Sequence, residues 1–90
     1  MKAEQLNEII KTCCDCFDLS VKDVLGKSRK QDLVSCRSAI VVVLKDIYGL
    51  CDDKIGDAIN RTSENANYLY NKPKNRFFVA VLNDIKKELE

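Results

Sequence analysis

Residues 52–72 read DDKIGDAINRTSENANYLYNK, and this segment holds two short apolar stripes separated by a polar break. The stripes are Ile55, Ala58 and Ile59, then Ala66, Leu69 and Tyr70. Apolar residues three and four positions apart lie on one face of a helix, so each stripe predicts a short helix packed on a core. Asn60 tolerates a left-handed backbone, which favours a tight turn between them. The segment therefore predicts a helix-turn-helix.

Further residues in this segment agree with that prediction. Gly56 removes a side chain where the second helix would cross the first, at a cost of about 1 kcal/mol in helix propensity. Thr62 or Ser63 is expected to cap the second helix. A step of about 100° per residue would turn a polar set outward: Glu64, Asn65, Tyr68, Asn71 and Lys72. An ordinary helical hairpin with a polar exterior has the same spacing, so that alternative stays open.

Apolar spacing predicts two helices before the longest apolar segment. The first spans residues 3–17. Ser20, with Asp23 three positions later, is expected to cap a short second helix that ends at Gly26.

The longest apolar segment, residues 33–48, predicts a central helix because it is apolar on nearly all sides. Its β-branched run at residues 40–44 could form a strand, but the apolar spacing extends too far for one strand. Asp32 is the expected N-cap and Gly49 the expected end. Arg37 is the exception on this helix, since it requires an exit to solvent or an anionic partner.

A last helix is expected after Pro73, capped by Asn75. Its apolar stripe is Phe78, Val81, Leu82, Ile85 and Leu89. The chain is long enough for one core and not for two. We therefore expect an all-α single domain, residues 1–90, folded as a bundle of five to six helices that contains a helix-turn-helix.

The composition, 46% hydrophobic and 32% charged, is that of a globular protein. No stretch approaches the roughly 20 apolar residues needed to cross a bilayer, and residues 1–8 are polar and acidic. We expect a cytoplasmic protein without a membrane partner.

Five cysteines, an odd number, indicate reduced core thiols rather than a disulfide framework. The alternative is a zinc site formed by Cys13, Cys16, Cys36 and Cys51, but the first two lie within an apolar helical period.

The sequence has no histidine, no glycine-rich phosphate loop and no nucleophile beside a recognisable base. We expect no enzyme activity, no cofactor, no metal and no small-molecule substrate.

The net charge is only +1, so binding to a polyanion would depend on local patches. The densest patch is the loop GKSRKQ at residues 26–31, with Lys27, Arg29 and Lys30. A second group, Lys72, Lys74 and Arg76, follows the predicted helix pair. Because a charged loop is usually only solvated, the basic loop alone does not establish binding.

Two stretches are similar to a known family: LSVKDVLGKSRKQDLVSCRSAIVVVL at residues 19–44 and DKIGDAINR at residues 53–61. Together they resemble the C-terminal DNA-binding domain of the bacterial replication initiator DnaA, a Trp-repressor-like helix-turn-helix. The resemblance implies a basic loop that places arginine in the minor groove and a second motif helix in the major groove. It also implies loop contacts by Lys27, Arg29 and Lys30, a phosphate or loop-fixing role for Arg37, and a contact by Arg61 at the start of the recognition helix.

The chain departs from that family after Arg61. The family continues Asp-His-Thr-Thr-Val, whereas this chain has Thr-Ser-Glu-Asn-Ala at residues 62–66. The DnaA target box is therefore not expected, and neither initiation nor hydrolysis is carried over because the ATP-binding module is absent from this sequence.

We expect a non-enzymatic domain that binds double-stranded DNA sequence-specifically, in replication or transcription regulation. The candidate DNA-binding residues are Lys27, Ser28, Arg29, Lys30, Arg37, Arg61, Thr62, Ser63, Glu64, Asn65 and Tyr68. The alternative is a protein-protein interaction module that keeps the fold without DNA binding, which the near-neutral charge favours, together with Asp52, Asp53, Asp57 and Glu64.

Overall fold

The computed structural model describes residues 2–89; Met1 and Glu90, the two ends of the predicted domain, lie outside the described residues. Between them the chain forms six helices and no strand. These are α1 (Ala3–Cys16), α2 (Val21–Val24), α3 (Gln31–Asp46), α4 (Asp52–Ala58), α5 (Ser63–Asn71) and α6 (Arg76–Glu88). The expectation of an all-α bundle is confirmed, and the β-branched run at residues 40–44 is helical.

Helix α3 is the centre of the bundle and contacts each of the other five helices. It has buried residues on every side, as expected for a helix that is apolar nearly all round. The buried face of α6 consists of Phe78, Val81, Leu82 and Ile85, which are four of the five predicted stripe residues; the fifth, Leu89, is the half-buried C-cap. The core thus surrounds α3, and the short helices α2, α4 and α5 are positioned by packing on it.

Side-chain caps begin two of the helices where the sequence predicts them. The Ser20 hydroxyl accepts a hydrogen bond from the Asp23 amide at 3.2 Å, and the Asn75 carboxamide oxygen accepts one from the Phe78 amide at 2.8 Å. Gly49, with a φ of 67°, follows the end of α3 as predicted.

The prediction that Asp32 caps α3 is wrong. The helix begins at Gln31 with Lys30 as its N-cap residue, so Asp32 lies inside the first turn. Its carboxylate accepts a hydrogen bond from the Leu33 amide at 2.8 Å. An acidic side chain in the first turn also stabilises a helix through the helix dipole, which explains the residue at this place.

The cysteines are free thiols, and Cys13, Cys14 and Cys36 are buried. Burial raises the pKa of Cys13 to about 12, which suppresses its thiolate. The Cys14 and Cys36 sulfurs lie 4.0 Å apart across α1 and α3, whereas Cys51 is exposed. Within residues 2–89, no three cysteine, histidine or acidic side chains cluster in a way that could hold a metal ion.

Across the same residues, each helix is too short or too polar to traverse a bilayer.

Candidate functional site

Helices α4 and α5 are joined by the turn that the sequence predicts. Asn60 has a φ of 58°, the left-handed conformation expected at this position. The Thr62 hydroxyl accepts a hydrogen bond from the Asn65 amide at 3.1 Å, so Thr62 rather than Ser63 is the N-cap of α5. Ile55 and Ile59 are fully buried and fix α4 against the core.

Gly56 makes the close approach that its position predicts. A Cβ atom at this residue would lie 2.6 Å from the Arg61 carbonyl oxygen and 3.0 Å from the Thr62 carbonyl carbon. The Gly56 carbonyl in turn accepts a hydrogen bond from the Arg61 amide at 2.8 Å. Glycine is therefore required by the backbone of Arg61 and Thr62, which precede α5, rather than by the residues of α5 itself.

Arg37 is 3% exposed and donates only to backbone carbonyls. Its Nε donates to Val24 at 2.6 Å, and its Nη2 donates to Gly26 at 3.1 Å and Ser28 at 2.7 Å. Backbone carbonyls, which the sequence analysis did not anticipate, therefore accept from Nε and Nη2, while Arg37 also lines a surface hollow. Of the two roles that the resemblance implies, this geometry favours fixing the basic loop.

Arg61 joins the same loop from the opposite side. Its Nη1 donates to the Asn60 carbonyl at 3.0 Å and the Ile59 carbonyl at 3.4 Å, within its own turn. Its Nη2 donates to the Gly26 carbonyl at 2.5 Å. The loop and the turn between α4 and α5 are thus tied together through one backbone oxygen.

The two guanidinium groups also interact electrostatically. Burial lowers the pKa of Arg37, and the neighbouring positive charge of Arg61 lowers it further. An arginine nevertheless stays protonated at neutral pH, so this corner of the molecule holds two positive charges at close range.

A surface hollow of about 620 Å³ lies between the basic loop and α5. It is lined by Lys27, Arg29, Val34, Arg37, Arg61, Asn65 and Leu69. Four of these residues are cationic and, within residues 2–89, none is acidic. We call this the cationic hollow. It brings together five of the sequence-predicted site residues, namely Lys27, Arg29, Arg37, Arg61 and Asn65.

The outer face of α5 is polar, as predicted. Tyr68 is 61% exposed, and Glu64 and Asn71 are exposed as well, whereas Asn65 is half-buried at the edge of the cationic hollow. Asn67 is an exposed member of this face that the sequence analysis missed, and it accepts hydrogen bonds from the Asn71 carboxamide.

Other candidate residues lie around the cationic hollow rather than in it. Lys30 is exposed at the start of α3, and its amide donates to the Ser28 hydroxyl at 3.4 Å. Ser63 is half-buried in the first turn of α5. Lys74, from the second basic group, donates to the Tyr70 and Lys72 carbonyls at 2.7 and 3.1 Å. Its ammonium is therefore hydrogen-bonded to the backbone at the C-terminal end of α5.

Sequence reasoning missed the groups that shape the cationic hollow. Val34 and Leu69 form its apolar part, and the Gly26 carbonyl holds two arginines beside it. The arginine within an otherwise apolar helix was the available signal, but a backbone acceptor has no signature of its own in a sequence.

A scan against protein-family models finds no match to this chain, and a search of curated proteins finds none either.

Proposed function

We propose that this chain is a non-enzymatic domain that binds double-stranded DNA through a helix-turn-helix formed by α4 and α5. The observation that carries the proposal is the shared boundary of the cationic hollow: the basic loop and the first turn of α5 lie side by side on one surface. Such a surface presents cations for the DNA backbone next to polar groups for the base edges.

Helix α5 has the dimensions and side chains of a recognition helix. Nine residues give a length of about 13 Å, and a helix of ordinary diameter fits the major groove. Asn65 can pair bidentately with adenine, and Tyr68 offers an exposed ring and hydroxyl beside it. Glu64 repels phosphates and can accept from a cytosine amine, so it favours some sequences over others.

The basic loop supports the backbone half of the proposal. Lys27, Arg29 and Lys30 are exposed, and the loop that carries them is fixed by partly buried hydrogen bonds from Arg37. A loop held in this way loses little conformational entropy on binding, which strengthens phosphate or minor-groove contacts. The resemblance of residues 19–44 and 53–61 to the DnaA domain supports the same assignment and a role in replication or transcription.

The test is a salt titration of binding to a labelled random duplex. Each phosphate contact contributes about 0.9 to the slope of log K against log salt concentration, so Lys27→Gln/Arg29→Gln should reduce the slope by about 1.8. The matched control is Lys11→Gln/Lys87→Gln, which removes two exposed charges outside the cationic hollow. Equal slopes for the two double variants would contradict backbone contacts by the loop.

A second candidate, a protein-interaction module, is favoured by an acidic hollow on another part of the α4–α5 pair. Its volume is about 390 Å³, and its lining includes Asp52, Asp53 and Glu64. The Asp52 carboxylate is paired with Lys45 at 3.1 Å, which reduces the free negative charge. Salt-insensitive association with a protein, without duplex binding, would select this candidate instead.

A further inference from the structure

The cationic hollow contains hydrogen-bond donors that the fold itself leaves unused. Arg37 has five N–H groups, of which Nε and the two on Nη2 donate to three carbonyls. Its Nη1 donates to no group within residues 2–89, although the residue is 3% exposed and lines the cationic hollow. No buried side-chain nitrogen or oxygen within residues 2–89 lacks a hydrogen-bond partner. Arg37 Nη1 has no such partner, so it must be accessible to solvent, and the cavity that Arg37 lines is the cationic hollow.

Arg61 has unused donors in the same place. Its Nη1 donates to two carbonyls of its own turn, and its Nη2 donates once, to Gly26. Its Nε–H and the second N–H of Nη2 have no partner among the described residues. Two guanidinium groups fixed on one carbonyl thus offer unpaired N–H groups beside a single cavity.

The electrostatics of this arrangement favour an anion. The two guanidinium groups repel each other, and this repulsion adds to the effect of burial in lowering the pKa of Arg37. Lys27 and Arg29 add two more positive charges to the lining, and no carboxylate within residues 2–89 offsets them there. An anion with several charges would relieve the repulsion and accept hydrogen bonds from the free N–H groups. The planar donor geometry of a guanidinium matches the oxygens of a phosphoryl group.

We propose that the cationic hollow is a binding site for a small polyphosphate, a chain of two or three phosphoryl groups that is either inorganic or part of a nucleotide. One phosphoryl group would accept hydrogen bonds from Arg37 Nη1 and Arg61, and the next would lie against Lys27 and Arg29. The volume of about 620 Å³ is within the usual range for small-ligand sites, and Val34 and Leu69 provide an apolar surface beside the charges.

Such a ligand would also compete with duplex DNA for the loop cations. The competition rests on the proposed function, whereas the binding of the polyphosphate does not. A polyphosphate bound at the hollow would neutralise Lys27 and Arg29, and duplex binding that depends on these residues would weaken.

The test is titration of the full chain with tripolyphosphate, ATP and adenosine, with ionic strength held constant by sodium chloride. Tripolyphosphate and ATP should bind and shift the backbone amide resonances of residues 26–29, 61 and 65. Tighter binding of ATP would identify a nucleotide as the preferred source, and equal binding would identify the phosphoryl chain alone. Binding of adenosine as tight as that of ATP would overturn the proposal, because the phosphoryl groups would then contribute nothing.

The variants use exposed residues so that folding is preserved. Lys27→Gln/Arg29→Gln should weaken tripolyphosphate binding at least about five-fold, whereas the charge-matched Lys11→Gln/Lys87→Gln should change it less than about two-fold. Equal weakening by both pairs would mean that only net charge matters, and the site would be rejected.

A duplex titration in the same buffers separates the two proposals. If duplex binds with a steep salt dependence while tripolyphosphate neither binds nor displaces it, the polyphosphate site is wrong and the DNA-binding proposal stands. If tripolyphosphate binds the cationic hollow while duplex does not bind, the site stands and the DNA-binding proposal is wrong.

Discussion

Arg37 and Arg61 donate to the same backbone oxygen, the carbonyl of Gly26, at 3.1 and 2.5 Å. Arg37 belongs to the central helix α3, and Arg61 belongs to the turn between α4 and α5. The shared acceptor therefore joins three parts of the chain that are distant in sequence: the basic loop, the core helix and the turn that leads into α5. Any change at one of these arginines acts on the position of the loop as well as on its charge.

Replacing Arg37 with alanine should destabilise the fold strongly. The change removes the three hydrogen bonds that the charged guanidinium donates to the Val24, Gly26 and Ser28 carbonyls. We therefore expect a loss of roughly 2–4 kcal/mol in the free energy of unfolding. Urea denaturation measures this loss. Arg29→Ala, at an exposed position in the same loop, should cost less than about 0.5 kcal/mol. Similar losses for both variants would show that Arg37 does not fix the loop.

Replacing Gly56 with alanine should also destabilise the protein, although alanine is the better helix former. The added Cβ would lie 2.6 Å from the Arg61 carbonyl oxygen, and backbone must move to accommodate it. We expect a net loss of about 1–3 kcal/mol, which exceeds the propensity gain of about 1 kcal/mol. Thermal unfolding shows directly whether the substitution lowers or raises the stability. A melting temperature equal to or above that of the parent chain would contradict the close approach between α4 and the turn.

The helices and most of their boundaries follow from the sequence because their causes are local. Apolar spacing identifies the buried face of α6, and Ser20, Asn75 and Asn60 act within a few residues of their own positions. The Asp32 prediction failed because an aspartate is favourable both as an N-cap and within the first turn. The sequence alone does not separate these two positions.

The candidate site was predictable only in part. Lys27, Arg29 and Asn65 stood out by residue type, but their shared cavity depends on a contact between residues 35 positions apart, from Arg61 to Gly26. A carbonyl acceptor is present at every residue, so no side-chain pattern marks it. For the same reason the sequence analysis expected only solvent or an anion as the partner of Arg37, and it missed the three carbonyls that accept from Nε and Nη2.

Arg61→Ala should weaken duplex binding and should interact with the loop variant. Loss of the hydrogen bond from Arg61 to Gly26 removes one of the contacts that position the loop, so part of the effect of Arg61 on affinity passes through Lys27 and Arg29. We expect the affinity losses of Arg61→Ala and Lys27→Gln/Arg29→Gln to be less than additive when combined, by about 0.5 kcal/mol or more. Fluorescence anisotropy with one duplex gives the affinities of the parent chain, the two variants and their combination, and so completes a double-mutant cycle. Strict additivity would indicate that the turn and the loop bind independently.

Thiol reactivity in the folded protein should follow burial. The pKa of Cys13 is raised to about 12 by desolvation, so its thiolate is suppressed at neutral pH. Cys14 and Cys36 are fully buried, so a reagent cannot reach their sulfurs in the folded protein. We expect a disulfide reagent to modify exposed Cys51 rapidly and these three thiols only after denaturation. A Cys51→Ser variant provides the control, because it should lose the fast phase. Rapid modification of Cys13 would contradict the packing of α1 on α3.

Asn65→Ala should alter which duplex sequences bind more than it alters overall affinity. Asn65 is half-buried in the first turn of α5, where it lines both the cationic hollow and a neighbouring hollow that Gly56 and Asn60 also line. A bidentate pair with adenine would discriminate one base by about 1–3 kcal/mol. Selection from a random duplex pool, before and after the substitution, measures this preference. Asn83→Ala is the matched control, because Asn83 is exposed on α6 and does not line the cationic hollow. If the two variants select the same sequences as the parent chain, Asn65 does not read a base, and the specificity of α5 must come from other residues such as Tyr68.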